Sequence, residues 1–546
     1  MCTPRAYNLH VKPRIAMFAG RGRFISAFAS VIIAASLVAC SARIVRAADD
    51  GLAVLHATNY RHYVLQFMKQ EVTATGKAAA DPWTWMLREI PWFDASDKQF
   101  EQMYYFRWYA WQKHVVKAPG GYLITEWMPK PDRPDFGVLC DAAAHQLREA
   151  RWLRDPAIAA DYARYWTLPG SDPHKYSFAL ADSIRAVTLA TGDDGLGISL
   201  LPKLVANYHD WEQSSFDPVG LFFSIDTRDA MEKSISGNGY RPTLNSYMYG
   251  DALAIADFAT RNHDEATASQ FRAIAAALRR HIESDLWNTR DEFYEVRAPR
   301  GSDPRLADVR ELIGYIPWYF DEPPTNHAVA WKQLFDPQGF AAEYGPTTAE
   351  RRSPRFRFKN SDKCQWNGPS WPFATTQTLV ALANLLNGSP QQYVSRRDYY
   401  HLFSTYVAAQ HLKLASGESI PWIDEDFDAD TDEWITRDIL FQRHSDQFGR
   451  GNYYNHSGFA DPLITGLVGL RPRADNKIVL HPLLPPSQWS YFALDGLPYH
   501  GHMLSVVYDS TGAQYHRGRG FMLFVDGQKR ASRSSLGDLV YELPAP

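Results

Sequence analysis

The chain has 546 residues, more than one ordinary hydrophobic core organises, and its net charge of −4 comes from acidic and basic residues interspersed along its length. No sustained basic track is present to neutralise a run of phosphates, which excludes nucleic acid as the expected partner. Aromatic residues make up 14%, with 17 Trp, a composition that suits either a large helical core or a cleft whose ring faces stack on the C–H faces of sugars.

At the start of the chain, Arg14, Arg21 and Arg23 precede an apolar run from Phe24 to Ala39 that is short and rich in Ala and Ser. This pattern predicts a signal peptide over residues 1–48 and an exported protein, periplasmic or extracellular. Two processing patterns stand side by side. Leu37-Val38-Ala39-Cys40 reads as a lipoprotein box that would leave a lipid anchor at Cys40, and Val45-Arg46-Ala47 suits an ordinary signal peptidase. Beyond the signal only Cys140 and Cys364 remain, which an oxidising compartment would allow to pair; two free thiols are the alternative.

From about Leu52 to Gly469 one kind of element recurs, a helix of ten to twenty residues closed by Gly, Pro, Asp or Asn. Phe271, Ile274, Leu278 and Ile282 share one face of an amphipathic, half-buried helix. Trp371 to Leu386 is apolar around its circumference and is followed, after Asn387-Gly388-Ser389-Pro390, by the more amphipathic Tyr393 to His411. Inner helix followed by outer helix is the unit of an α/α barrel, and about a dozen such segments predict a mainly α fold, an (α/α)6 barrel over residues 49–470. After Arg471-Pro472-Arg473 the texture changes. Lys477 to His481, His502 to Tyr508 and Phe521 to Val525 read as strands, with Asp526-Gly527 as a hairpin turn, so a small C-terminal β-sandwich is expected over 471–546.

The sequence lacks HExxH, paired CxxC and a Walker loop, and no GxSxG or GxGxxG follows a predicted strand, so neither a metal nor a cofactor is expected. The acidic run from Asp424 to Glu433 resembles a calcium loop only superficially. Counted from Asp426, its sixth and twelfth positions are Thr431 and Arg437, where an EF-hand requires Gly and Glu.

Three segments carry the functional signal: SIDTRDAMEKSISGNGYRPTLNSYMYGDA from Ser224, QWNGPSW from Gln365, and SIPWIDEDFDADTDEW from Ser419. In this order they resemble blocks of the processing α-glucosidase I and mannosylglycerate hydrolase family, relatives of the trehalases. The resemblance implies that Arg228-Asp229 is the acid site, that Tyr247 lies in the following helix start, that the loop from Trp366 to Trp371 lines the sugar pocket, and that Glu425 is the base. Where the family has Glu-Ser-Gly before its Arg-Asp pair, this chain has Ser224-Ile225-Asp226-Thr227. Glu232, three residues beyond Asp229, is the second candidate for the acid.

Glycosidic cleavage needs one protonated carboxyl for the leaving oxygen and one ionised carboxylate to activate water, and burial among rings such as Trp366, Trp371 and Trp422 would raise the acid's pKa. The resemblance therefore implies a glycoside hydrolase, exo-acting on α-linked glucosides or mannosides with inversion. Arg241 and Asn245 either touch substrate hydroxyls or brace the acid loop. Glu149, Arg151 and Trp152 either edge the pocket or form an inner-helix ion pair, and His456 either binds a hydroxyl or caps a helix. Two further readings are a non-catalytic carbohydrate-binding protein, which would keep the aromatic pocket, and a polysaccharide lyase, which would need a basic cleft.

Overall fold

The computed structural model of the protein describes residues 54–544, apart from 131, 132, 134, 300–305 and 358–362. The expected signal peptide and the Cys40 anchor site lie outside the described residues. Among the described residues, no helix is long and apolar enough to cross a membrane.

Helices dominate, and their ends follow local chemistry. Helix α1 (Arg61–Thr75) stops where Gly76 turns left-handed at φ 68°, and α2 (Lys98–Trp111) starts where the Asp97 side chain accepts from the Gln99 and Phe100 N–H groups. Then come α3 (Ala143–Ala150), α4 (Pro156–Tyr165), α5 (Leu180–Thr191), α6 (Gly195–Ser215), α7 (Pro242–Arg261) and α8 (Glu265–Leu286). The chain continues through a single turn at Ile316–Tyr319 to α9 (Pro372–Gly388) and α10 (Arg396–Ala408). An α-turn at Ala460–Pro462 running into a π-turn at Leu463–Val468 ends the helical part.

Burial sorts these helices into two layers. Helix α7 is buried over nearly its whole circumference, whereas α8 buries only a stripe that includes Phe271, Leu278 and Ile282. In sequence order α3, α5, α7, the Ile316–Tyr319 turn, α9 and the Ala460–Val468 segment each touch the next, and the last returns to α3. Helices α6, α8 and α10 pack against α7, α7 and α9 respectively. The α10 boundary differs from the hydrophobic pattern, which began at Tyr393 and ran to His411. A capping box between Ser395 and Asp398 fixes the start, and His411–Lys413 leaves the helix to pair with Ser419–Pro421. That hairpin delivers the chain into the loop bearing Glu425.

The C-terminal region builds an antiparallel sheet, but not from C-terminal residues alone. Strand β1 (Trp92–Ala95) pairs with β3 (Tyr491–Tyr499), followed in order by β4 (His502–Asp509), β5 (Gly520–Val525) and β6 (Gln528–Arg533). A separate ladder joins β2 (Lys477–Leu480) to β7 (Leu539–Glu542). The expected division at residue 470 is thus bridged by a strand drawn from the N-terminal helical region. The sequence pattern missed β3 because Gly496 and Pro498 interrupt its alternation, and the register shifts there between Asp495 and Leu497. Asp495, wholly buried, accepts from the N–H groups of Val54 and Leu55 at 2.8 and 2.7 Å and from the Ser505 hydroxyl.

Candidate active site

The acid loop hangs between two short strands, Leu221–Ser224 and Gly239–Tyr240, paired with Ser224 opposite Gly239. Asp229 lies inside it with no side-chain exposure. Its carboxylate accepts from Arg241 Nε at 2.5 Å, from Ser224 Oγ at 3.3 Å and from the Ser177 and Thr243 hydroxyls. Arg241 reaches on to Ser234 Oγ and the Gly237 carbonyl. Four donors, one of them a guanidinium, occupy the acceptor sites of this carboxylate, so the Asp229–Arg241 pair fastens the loop.

Glu232 stands differently. Ala230 and Lys233 on either side adopt left-handed backbone at φ 56° and 62°, a conformation non-glycine residues seldom take, and turn the Glu232 segment out of the loop. Its carbonyl accepts the Trp366 N–H at 3.1 Å, which ties it to the tryptophan loop. Burial, reinforced by the charges of Asp141, Glu425 and Asp226, pushes its carboxyl up to about 7.

The opposite loop carries Asp424, Glu425 and Asp426 in succession, all buried. Arg450 grips Glu425 with two hydrogen bonds, Nε to Oε1 at 2.6 Å and Nη2 to Oε2 at 2.7 Å, and only 1% of the Glu425 side chain is exposed. This bidentate pairing fixes the orientation of the carboxylate. Gly451 lets Arg450 come so near: a Cβ there would run into Asp424 Oδ1. The Cys364 thiol donates to Glu425 Oε2 at 3.3 Å and also feels the charge of Glu232, so it lies in the field of both carboxylates. Asp424 and Asp426 are raised by burial to about 6 and 7, and each is engaged locally, Asp424 by Trp422 Nε1 and Arg437, Asp426 by the Thr436 N–H.

An aromatic wall joins the loops. Trp366 and Trp371 stack with ring centroids 4.7 Å apart, Trp371 meets His456 edge-on at 5.9 Å, and Phe373 packs on both His456 and His145. Burial lowers His145 to about 3 and His456 well below its ordinary value, so both imidazoles are neutral. His145 Nε2, both nitrogens of His456 and Trp366 Nε1 are buried without a hydrogen bond. Since an unpaired buried polar atom costs about 1–3 kcal/mol, these four nitrogens are candidates to meet the hydroxyls of a ligand. Close by, the carboxyls of Glu126 and Asp141 interact while Glu126 Oε2 and Asp141 Oδ1 lack a donor. One proton shared between them satisfies both. Burial and the Asp141 charge push Glu126 well up, and burial takes Asp141 to about 6.

Other expected residues are placed elsewhere. Arg228 lies over the Trp211 ring and bonds Ser215, while Asn245 braces Phe222 and the Arg241 carbonyl. Glu149 accepts from the N–H groups of Phe459, Ala460 and Asp461, and Arg151 and Trp152 both bond Asp461, so these three form the inner-helix network. The Tyr247 hydroxyl accepts from Gln377 at 2.7 Å, and Trp422, wholly buried, lies behind the base under Arg437. Cys140 and Cys364 are both free thiols.

Sequence reasoning missed Glu126, Asp141, His145 as a pocket residue, and Arg450. Asp141 and His145, four apart around the start of α3, were the available signal. Among the described residues, carboxylates gather in a metal-ligand arrangement at Asp291, Glu295 and Asp308, but Arg290 already bonds Asp291 and Asp308 there.

Comparison with known proteins accords with this geometry. Residues 135–457 match the mannosylglycerate hydrolase MGH1-like glycoside hydrolase domain, and residues 470–530 match the C-terminal domain of glycosyl hydrolase family 65. A solved structure titled sialidase is 38% identical over 91% of this chain with a TM-score of 0.84, and the chain spans 46% of that protein's length. The mannosylglycerate hydrolase from Thermus thermophilus, solved with Tris and D-glycerate, is 13% identical with a TM-score of 0.49, covering 66% of this chain and 100% of that one. An α-L-rhamnosidase from Dictyoglumus thermophilum is 10% identical with a TM-score of 0.49, covering 82% of this chain and 45% of that one. Both carboxylate loops and the tryptophan wall fall inside the matched 135–457 region, and the chain belongs to the mannosylglycerate hydrolase MGH1-like family of glycoside hydrolases.

Proposed function

We propose that this protein is an exo-acting, inverting glycoside hydrolase in which Glu232, rather than Asp229, is the general acid and Glu425 is the general base. The observation that carries this reading is the contrast between two carboxyls within one electrostatic neighbourhood. Glu232 meets burial and like charges that keep its proton on near pH 7, whereas Glu425 is clamped by Arg450. Divergent environments of this kind divide acid from base. Glu232 protonates the leaving oxygen while Glu425 takes a proton from the attacking water on the other ring face. Water attack opposite the departing group inverts the anomeric centre. The Trp366–Trp371 stack offers a sugar an apolar face, and the unpaired nitrogens of His145, His456 and Trp366 match its hydroxyls.

The resemblance to the mannosylglycerate hydrolase family supports an α-linked glucoside or mannoside. Glu126, Asp141, Glu232 and Glu425 crowd one another, and the nearby Arg450 is committed to Glu425 and so is not open to the carboxylate of an acidic sugar such as a sialoside, which favours a neutral one. The closed order of inner helices supports an (α/α)6 barrel that holds both loops at one end. Export to the periplasm or beyond, with or without a lipid at Cys40, follows from the N-terminal pattern.

The test is a panel of neutral and acidic glycosides with NMR of the first-formed anomer, run on the wild type and on Glu232→Gln, Glu425→Gln and Asp229→Asn. An inverted neutral sugar released by the wild type, and lost in the first two variants, is expected. No product from any glycoside, a retained anomer, an unsaturated product absorbing in the near ultraviolet, or preferential cleavage of sialosides would each overturn the corresponding part.

A further inference from the structure

The residues leading into the tryptophan loop tie the two halves of the site together. Cys364 adopts left-handed backbone at φ 56°, which a residue with a β-carbon seldom takes. Its N–H donates to Thr436 Oγ1 at 3.1 Å, and the Thr436 N–H donates to Asp426 Oδ1 at 3.2 Å, so the position is pinned to the loop that carries the base. Two residues on, the Trp366 N–H bonds the Glu232 carbonyl at 3.1 Å.

This places the Cys364 sulfur in a closed triangle with the base and its arginine. Sγ lies 3.3 Å from Glu425 Oε2 and 3.0 Å from Arg450 Nη2, and Nη2 lies 2.7 Å from the same Oε2. All three edges can be hydrogen bonds at once, because Nη2 carries two hydrogens, and a thiol donates one hydrogen while its sulfur accepts another. Burial and the Glu425 charge push the thiol pKa well up, which keeps the proton on sulfur and makes the thiol a donor. Oε2 therefore has two donors, the guanidinium and the thiol, for its two lone pairs. Among the described residues Oε1 has one, Arg450 Nε at 2.6 Å.

We infer that Cys364 is a positioning residue for the base: its thiol takes the second lone pair of Glu425 Oε2 and leaves Oε1 as the oxygen that meets the attacking water. The arginine fork alone treats the two oxygens alike, and the thiol makes them unequal. Cys364 itself touches no reacting atom and forms no bond to the sugar. The inference rests on Glu425 being the base, as assigned above.

The test pairs kinetics with vibrational spectroscopy of the S–H stretch, which requires neither turnover nor a reagent able to reach the sulfur. Cys364→Ala removes the donor and should lower kcat about threefold to tenfold, the worth of one modest hydrogen bond, with KM changed by less than about twofold. Cys364→Ser restores a donor at the same place and should recover most of that loss. The Cys364 S–H band, isolated as the difference between wild type and Cys364→Ser, should move to higher frequency when the same difference is taken in a Glu425→Gln background, because the thiol loses its carboxylate acceptor. A kcat unchanged in Cys364→Ala, or a loss as large in Cys364→Ser, overturns the positioning role. An S–H band unmoved by Glu425→Gln overturns the bond itself, whatever becomes of the hydrolase reading, which falls separately if the wild type cleaves no glycoside.

Discussion

Arg450 and Glu425 meet fork to fork, with two hydrogen bonds of 2.6 and 2.7 Å across a site where the carboxylate is all but closed to solvent. Such a pair fixes the orientation of the carboxylate. Arg450→Lys keeps the charge and loses the fork. It should lower kcat by about tenfold to a hundredfold with a smaller change in KM, whereas Glu425→Gln should lower kcat by roughly 10²–10⁴, the range general-base catalysis contributes. Steady-state kinetics on one substrate separates the two.

With Glu232 as the proposed acid, its carboxyl near 7 should set the alkaline limb of the pH profile. A general acid must be protonated, so kcat/KM should fall as the pH rises through about 7. Glu232→Gln should remove that limb and cost roughly 10²–10⁴ in kcat on poor leaving groups. Nitrophenyl glycosides, whose leaving groups need little protonation, should lose far less.

Asp229→Asn leaves Arg241 charged and buried without its counter-ion. Breaking a buried pair from one side costs about 3–5 kcal/mol, so this variant should show a clearly lowered melting temperature, read by calorimetry. Its remaining folded fraction should retain the alkaline limb that Glu232→Gln loses.

Gly451→Ala forces a methyl group toward Asp424 Oδ1, so the backbone next to Arg450 must shift. Overpacking of this kind costs about 1–3 kcal/mol. The expected result is a reduced kcat, since the displaced guanidinium no longer meets Glu425 squarely, with little change in substrate binding.

Much of the helical part was legible because a buried inner helix and a striped outer one differ in composition, as α7 and α8 do. The hairpin after α10 was not, since nothing in the apolar run up to His411 shows that Ser395 and Asp398 fix an earlier start or that His411–Lys413 finds a strand partner. In the site, Glu425 and the two tryptophans could be singled out by their blocks. The resemblance placed Asp229 ahead of Glu232; the contacts that set the two apart, from Arg241, Ser177 and Thr243, reach Asp229 only after the chain folds. Arg450 escaped notice for the same reason: its partner lies 25 positions away in a different turn.

The pairing of β1 with β3, together with the hold of Asp495 on Val54 and Leu55 across 441 positions, makes the two ends of the described chain each other's scaffold. During synthesis β1 has no partner until Tyr491–Tyr499 has emerged, so until then the nascent chain keeps an open strand edge and uncovered apolar surface. A fragment stopped at residue 470 would inherit that unfinished state permanently and should aggregate, while the full-length protein should melt in a single transition rather than lobe by lobe.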